Sequence, residues 1–205
     1  MASRKRDGLL KISDVAKEAG VLPSTVRYYT DLGLIQPASE TPGGHRLYDS
    51  ATTIGAIRKI QFSNKQGKTI DDIKQDLIAT DGAVRKVLVI DDEIELCEVV
   101  TEMVKTYFPH YEVRVANDGF TAGRILNEYL PDLIILDLML PGVNGFDVCR
   151  QIRSNEYMKG TKILAITGYD SDENKQKILS CGANDFLAKP MDVPVLKSKM
   201  EKLLQ

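Results

Sequence analysis

Four short apolar runs in the second half of the chain all run into polar residues of a restricted kind. Lys86-Val87-Leu88-Val89-Ile90 runs into Asp91-Asp92-Glu93, Leu133-Ile134-Ile135-Leu136 into Asp137, and Ile163-Leu164-Ala165-Ile166 into Thr167; Phe186-Leu187 lies just ahead of Lys189-Pro190. Short apolar runs without alternation read as strands buried on both faces. Val113 and Val115 mark one more strand, ahead of the turn Asn117-Asp118-Gly119. Amphipathic stretches lie between the runs; Cys97, Val100 and Val104, for example, are spaced to share one helix face. Strands alternating with helices over residues 85–205 imply an α/β, doubly wound, five-stranded parallel sheet.

In such sheets ligands bind beyond the carboxyl ends of the strands, next to the switch in strand order. Asp91, Asp92, Asp137, Thr167 and Lys189 are far apart in the chain, yet this topology gathers them. Three carboxylates brought together repel one another, and a divalent cation relieves the repulsion. Mg²⁺ suits the set, because it takes hard oxygen ligands and keeps positions for phosphate oxygens.

Residues 1–80 have a different rhythm, with short helices broken by turns. Ser13 is placed to cap a helix from Asp14 to about Ala19, and Gly20 suits the left-handed position past its end. Pro23 fits the first position of a second helix. Two short helices joined by a tight Gly-containing turn form a helix-turn-helix pattern, whose second helix enters the major groove of DNA. Gly43-Gly44, flanked by alternating residues, reads as the turn of a small two-stranded wing. Asp49 or Ser50 can cap the next helix, with Ile54, Ile57 and Ile60 on its apolar face. Thr69 and Asp72 resemble a capping box for a last helix carrying Ile70, Ile73 and Leu77. The front half is thus a mostly-α winged helix-turn-helix unit. The seam is Thr80-Asp81-Gly82-Ala83, giving domains at 1–80 and 85–205 with a linker at 81–84.

The charge follows this division. Residues 1–80 hold 12 basic and 9 acidic residues, a net +3; residues 81–205 hold 15 and 20, a net −5; together they make the overall −2. A basic front and an acidic back suggest different partners. With 43% apolar and 27% charged residues, extended disorder is excluded. No run of about 18 apolar residues exists, so no transmembrane helix is expected. Met1 to Arg6 is basic but leads into no apolar signal core, so the expected location is the cytoplasm, with no membrane partner. Cys97, Cys149 and Cys181 form no C-x-x-C pair and read as reduced, buried thiols. His45 and His110 alone cannot make a metal site.

Two family resemblances follow from these residues. Val26-Arg27-Tyr28-Tyr29, Gly33-Leu34-Ile35 and Gly44-His45-Arg46-Leu47-Tyr48 resemble the DNA-binding domain of MerR-family transcription regulators, over about residues 9–79. The resemblance implies that Ser24, Thr25, Arg27 and Tyr28 lie on the recognition helix, His45 and Arg46 on the wing, and Tyr48 at its base. Arg27, Tyr28 and Arg46 would contact mainly phosphates, which position a protein on DNA. Tyr29 reads as core. Relatives dimerise through a long helix after this domain, and metal-sensing ones carry cysteines there; here the chain reaches Gly82 too soon, and no cysteine precedes Cys97.

The back half resembles the receiver domain of two-component response regulators, a flavodoxin-like fold. The acidic pair, Asp137-Leu138-Met139-Leu140-Pro141-Gly142, Gly145, Thr167, Phe186 and Lys189-Pro190 carry that likeness. It implies that Asp137 accepts a phosphoryl group. Asp92, Asp137 and the Met139 backbone carbonyl would ligate Mg²⁺, with Asp91 acting through water. Thr167 and Lys189 would stabilise the phosphoryl group, and Thr167 with Phe186 would form the switch. The Lys189–Pro190 peptide would be cis.

Joined, the two resemblances imply a response regulator that binds DNA under control of Asp137 phosphorylation. The implied partners are DNA, a sensor histidine kinase or phosphotransfer protein, RNA polymerase, and a second copy in a phosphorylation-dependent homodimer. No enzyme activity is implied beyond the receiver's own phosphorylation and dephosphorylation. The alternative is a phosphorylation-dependent adaptor whose front domain docks a protein.

Overall fold

The computed structural model describes residues 9–78, 85–168 and 172–204, of which 75–78 and 172–174 by backbone alone. The expected linker 81–84, the basic end Met1–Arg6 and the Leu77 side chain lie outside the described residues. The chain divides into two compact units, Met1–Asp81 and Gly82–Gln205. Among the described residues, no helix is long and apolar enough to cross a membrane.

The first unit runs β1 (Leu9–Lys11), α1 (Ile12–Ala19), α2 (Pro23–Asp31), β2 (Ser39–Glu40), β3 (Arg46–Asp49), α3 (Ser50–Lys65) and α4 (Ile70–Ile78). Gly20 ends α1 in the left-handed conformation, φ 67°, and Pro23 opens α2. The hairpin turn forms at Gly43-Gly44, with Gly44 at φ +74° and its N–H donating to the Thr41 carbonyl at 2.8 Å. Of the two caps expected for α3, Asp49 serves, accepting from the Thr52 N–H at 2.9 Å. The Thr69–Asp72 capping box closes in both directions, at 2.8 and 3.1 Å.

Ser13 does not cap α1. The helix starts at Ile12, because Leu9–Lys11 pairs antiparallel with β3 and carries the chain straight into the first turn. The hairpin expected as the wing, β2 with β3, is therefore joined by β1 in a three-stranded sheet ordered β1-β3-β2. The core beneath it joins Val15, Ala19, Val26, Tyr29, Ile57 and Ile60.

The second unit contains β4 (Arg85–Ile90), α5 (Ile94–Tyr107), β5 (Tyr111–Ala116), α6 (Gly119–Glu128), β6 (Leu133–Asp137), α7 (Gly145–Ser154), β7 (Lys162–Thr167), α8 (Asp172–Ser180), β8 (Asp185–Ala188) and α9 (Val193–Leu203). All strand pairs are parallel, in the order β5-β4-β6-β7-β8. After β4 the chain steps outward to β5, then returns to β6 on the other side. That reversal opens the crevice between the ends of β4 and β6.

Every residue of β6 is buried, as are Val87 to Ile90 of β4. Val87, Val89, Leu133, Ile135, Leu164 and Ile166 pack with Val100, Val104, Leu196 and Met200 of α5 and α9. The alternate residues of these strands face the opposite side of the sheet. Gly145 lets α7 begin directly against the end of β6. A Cβ there would lie 2.4 Å from Leu138 Cα and 2.7 Å from the Asp137 carbonyl oxygen.

Candidate functional site

Register places the polar strand ends side by side. Ile90 is level with Leu136 on β6, Asp137 with Ile166 on β7, and Thr167 with Ala188 on β8. The residue after each position therefore opens onto one edge. Asp91, Asp92 and Asp137 meet there, with one carboxylate oxygen of each within 4.8 Å of the others.

The three carboxylates differ in environment. Asp92 is exposed, while Asp91 is 1% exposed and Asp137 is 4% exposed as a side chain. Asp91 Oδ1 accepts from the Glu93 N–H at 2.9 Å, and Asp137 Oδ1 from the Met139 N–H at 2.9 Å. Asp91 Oδ2 is buried with no hydrogen bond, although Lys189 Nζ lies 3.1 Å away. Burial raises the Asp91 pKa above its ordinary value, against the hydrogen bond from the Glu93 N–H and the nearby Lys189 charge.

Lys189 enters from the end of β8. Its peptide to Pro190 is cis, and its N–H donates to the Thr167 carbonyl at 2.8 Å. Its Nζ lies 2.8 Å from Asp137 Oδ2 and 2.7 Å from Glu93 Oε1. Burial pulls the ammonium pKa down, yet the bonds to Asp137, Glu93 and Asp91 outweigh it and hold it above the ordinary lysine value. Thr167 is buried at the end of β7, one residue past the partner of Asp137. Phe186 is half-buried on β8, with the ammoniums of Lys175 and Lys199 each 5.7 Å from its ring centroid.

Hard oxygen donors, one of them a buried oxygen with no hydrogen bond, fit a small divalent cation. Asp91, Asp92 and Asp137 are the groups at hand for it.

Three residues at this edge went unassigned in the sequence reading. Glu93 was only part of an acidic run, yet it reaches Lys189. Asn117, read as a turn, donates from Nδ2 to the Asp91 carbonyl at 2.9 Å. Cys97 Sγ donates to the same carbonyl at 3.3 Å. Burial pushes the Cys97 thiol up to about 11, which makes it a poor nucleophile at neutral pH. All three cysteines are free and buried.

In the first unit Ser24, Arg27, Tyr28, His45 and Arg46 are exposed, and Thr25 is half-buried. Arg46 Nη1 pairs with Asp31 Oδ1 of α2 at 2.9 Å. Tyr48, expected at the base of the wing among the DNA-binding residues, is instead fully buried. It sits on the central strand of the small sheet, opposite Leu10, and its hydroxyl lies 2.9 Å from Thr30 Oγ1. A phenol with an apolar body and one polar partner fits a core position facing a helix. Tyr29 is buried, as expected.

The family model for the response regulator receiver domain matches residues 87–201, and that for the MerR family regulatory protein matches residues 11–48. The chain is 33% identical over 120 residues to the DNA-binding dual master transcriptional regulator RpaA of Synechocystis sp., covering 58% of this chain and 49% of that protein. It is 36% identical over 121 residues to the response regulator PleD of Caulobacter vibrioides, covering 58% of this chain and 26% of that protein. The chain thus spans about half, or less, of the length of these relatives. Among solved structures, it is similar to the signal receiver domain of the DNA binding response regulator protein (merR) from Colwellia psychrerythraea 34H. The TM-score is 0.56 at 30% identity, covering 58% of this chain and 98% of that one. The chemotaxis response regulator CheY4 of Vibrio cholerae also has a TM-score of 0.56, at 31% identity, over 60% of this chain and 100% of that one.

Proposed function

This chain belongs to the response regulator receiver family and carries a MerR-family segment ahead of its receiver, and from that premise we propose that it is a two-component transcription regulator switched by phosphorylation of Asp137. One observation carries the reading. Lys189 Nζ lies 2.8 Å from Asp137 Oδ2, beside a buried Asp91 oxygen that has no hydrogen bond. A carboxylate presented to a fixed ammonium and a candidate cation site can accept a phosphoryl group, a transfer that depends on positioning and charge neutralisation.

In this reading a sensor histidine kinase or phosphotransfer protein is the donor. An Asp137 oxygen bonds to phosphorus as the phosphorus–nitrogen bond of a phosphohistidine breaks, and its electron pair leaves with the imidazole. Asp92, Asp137 and the Met139 carbonyl would hold Mg²⁺, with Asp91 acting through water, and the ion would supply positive charge for the phosphoryl oxygens. Lys189 balances the remaining charge. The Thr167 hydroxyl donates to a phosphoryl oxygen and, by moving, changes the room available to Phe186. The chain's own chemistry extends only to gaining and losing this group.

The receiver then changes how two copies pair, which sets two front units on one DNA site. The front unit acts as a winged helix-turn-helix, with Ser24, Thr25, Arg27 and Tyr28 on the recognition helix and His45 and Arg46 on the wing. RNA polymerase is the further partner of a DNA-bound pair. In an adaptor reading, the front unit docks a protein instead.

Labelling with acetyl phosphate and Mg²⁺ tests the central claim. Wild-type protein takes up phosphate, and Asp137→Ala takes up none. Persistent labelling of Asp137→Ala overturns the assignment. A DNA titration at several salt concentrations separates regulator from adaptor, since specific DNA binding weakens steeply with salt.

A further inference from the structure

A lysine ammonium has three N–H donors, and three carboxylates surround that of Lys189. Asp91 and Asp137 are buried and fixed at strand ends. The third, Glu93, is 60% exposed as a side chain and makes the shortest of the three contacts, 2.7 Å. Its backbone is held: the N–H donates to Asp91 Oδ1, and the carbonyl accepts from the Cys97 N–H at 3.0 Å. Its side chain reaches Lys189 from the solvent side.

A phosphoryl group arriving at Asp137 brings anionic oxygens that need a donor from Lys189. Asp137 is the reacting group, and Asp91 is buried with nowhere to turn. The Glu93 contact is the cheapest to open, because water takes up the exposed Glu93 carboxylate while the largely buried Lys189 keeps its other two neighbours. We propose that Glu93 acts through Lys189 as an internal competitor: it occupies the place on the ammonium that the incoming phosphoryl oxygen takes. This rests on the phosphorylation reading above and adds a competitor to it. An anionic donor must displace the Glu93 carboxylate to engage Lys189. Donor binding is therefore weakened, whereas the rate at saturation, reached after displacement, is not.

The test is the rate of Asp137 labelling in the full chain against acetyl phosphate concentration, at fixed Mg²⁺ and several salt concentrations. Glu93→Gln removes the charge at an exposed site. Its half-saturating concentration falls about two- to fivefold, the range of a weak ion pair with one member in water. The plateau rate stays at the wild-type value, and the difference shrinks as salt rises. Glu95→Gln, which neutralises an exposed carboxylate two residues along, leaves half-saturation unchanged. An unchanged half-saturation in Glu93→Gln, a lowered plateau, or an equal shift in Glu95→Gln overturns the role of Glu93 and leaves Asp137 as the acceptor. Absence of labelling in the wild type overturns both.

Discussion

The two units carry their working charges in opposite ways. In the second unit, Asp91 and Asp137 lie at the floor of a crevice and both face the Lys189 ammonium. In the first, Arg27 and Arg46 stand on the surface, and the Arg46–Asp31 pair is 40% and 56% exposed. Buried charges hold a fixed geometry, and removing one partner leaves the others unpaid for in a poor solvent. Exposed charges cost the fold little and remain available to a partner, whose attraction is then sensitive to salt. A chemical pocket thus looks stiff and costly to alter, and a docking face looks cheap.

Lys189→Met should break this contrast most visibly. Without the ammonium, two buried carboxylates face each other, and the loss of stability is about 3–5 kcal/mol. Chemical denaturation without metal measures it, and Mg²⁺ restores part of it. Undiminished stability would mean that the pocket charges are not coupled.

Arg153→Ala comes next, and it asks whether burial alone, away from the pocket, makes a charge costly. Half-buried Arg153 donates to the Gly182 carbonyl at 2.6 Å, the Thr161 carbonyl at 2.9 Å and Asn184 Oδ1 at 2.7 Å, tying α7 to the connection between α8 and β8 and to the residue ahead of β7. Its loss leaves the Gly182 and Thr161 carbonyls without this donor, at about 1–3 kcal/mol for each group left buried and unsatisfied, whereas Asn184 Oδ1 keeps the Ile163 N–H. Denaturation should show a shifted midpoint in the second unit.

Arg46→Ala should be the mildest for the fold. Opening an exposed pair leaves the unfolding midpoint where it was, whereas DNA affinity falls and its dependence on salt loses about one unit of slope. A shifted midpoint with unchanged binding would reverse the comparison for this residue.

The same contrast explains what could be read from sequence. The strand ends were legible because Val87–Ile90 and Leu133–Leu136 are unbroken apolar runs, each followed at once by acid. The sheet topology then brought Asp91, Asp92 and Asp137 together. Glu93 was not legible, since its partner is 96 residues away and nothing local marks an exposed glutamate for a distant lysine. Tyr48 misled because a motif gives the residue type but not which way a strand turns it. β1 was missed because three residues hold too little pattern, and its pairing with β3 removed the role expected of Ser13.

The strand order has a consequence for synthesis. β4 is made first in its sheet but ends up between β5 and β6. Until Leu133–Asp137 emerges, β4 keeps one edge of unpaired backbone beside Val87–Ile90. An open, apolar strand edge templates pairing with other chains. Fragments ending between Ala116 and Leu133 should therefore aggregate, whereas those reaching past β6 close that edge.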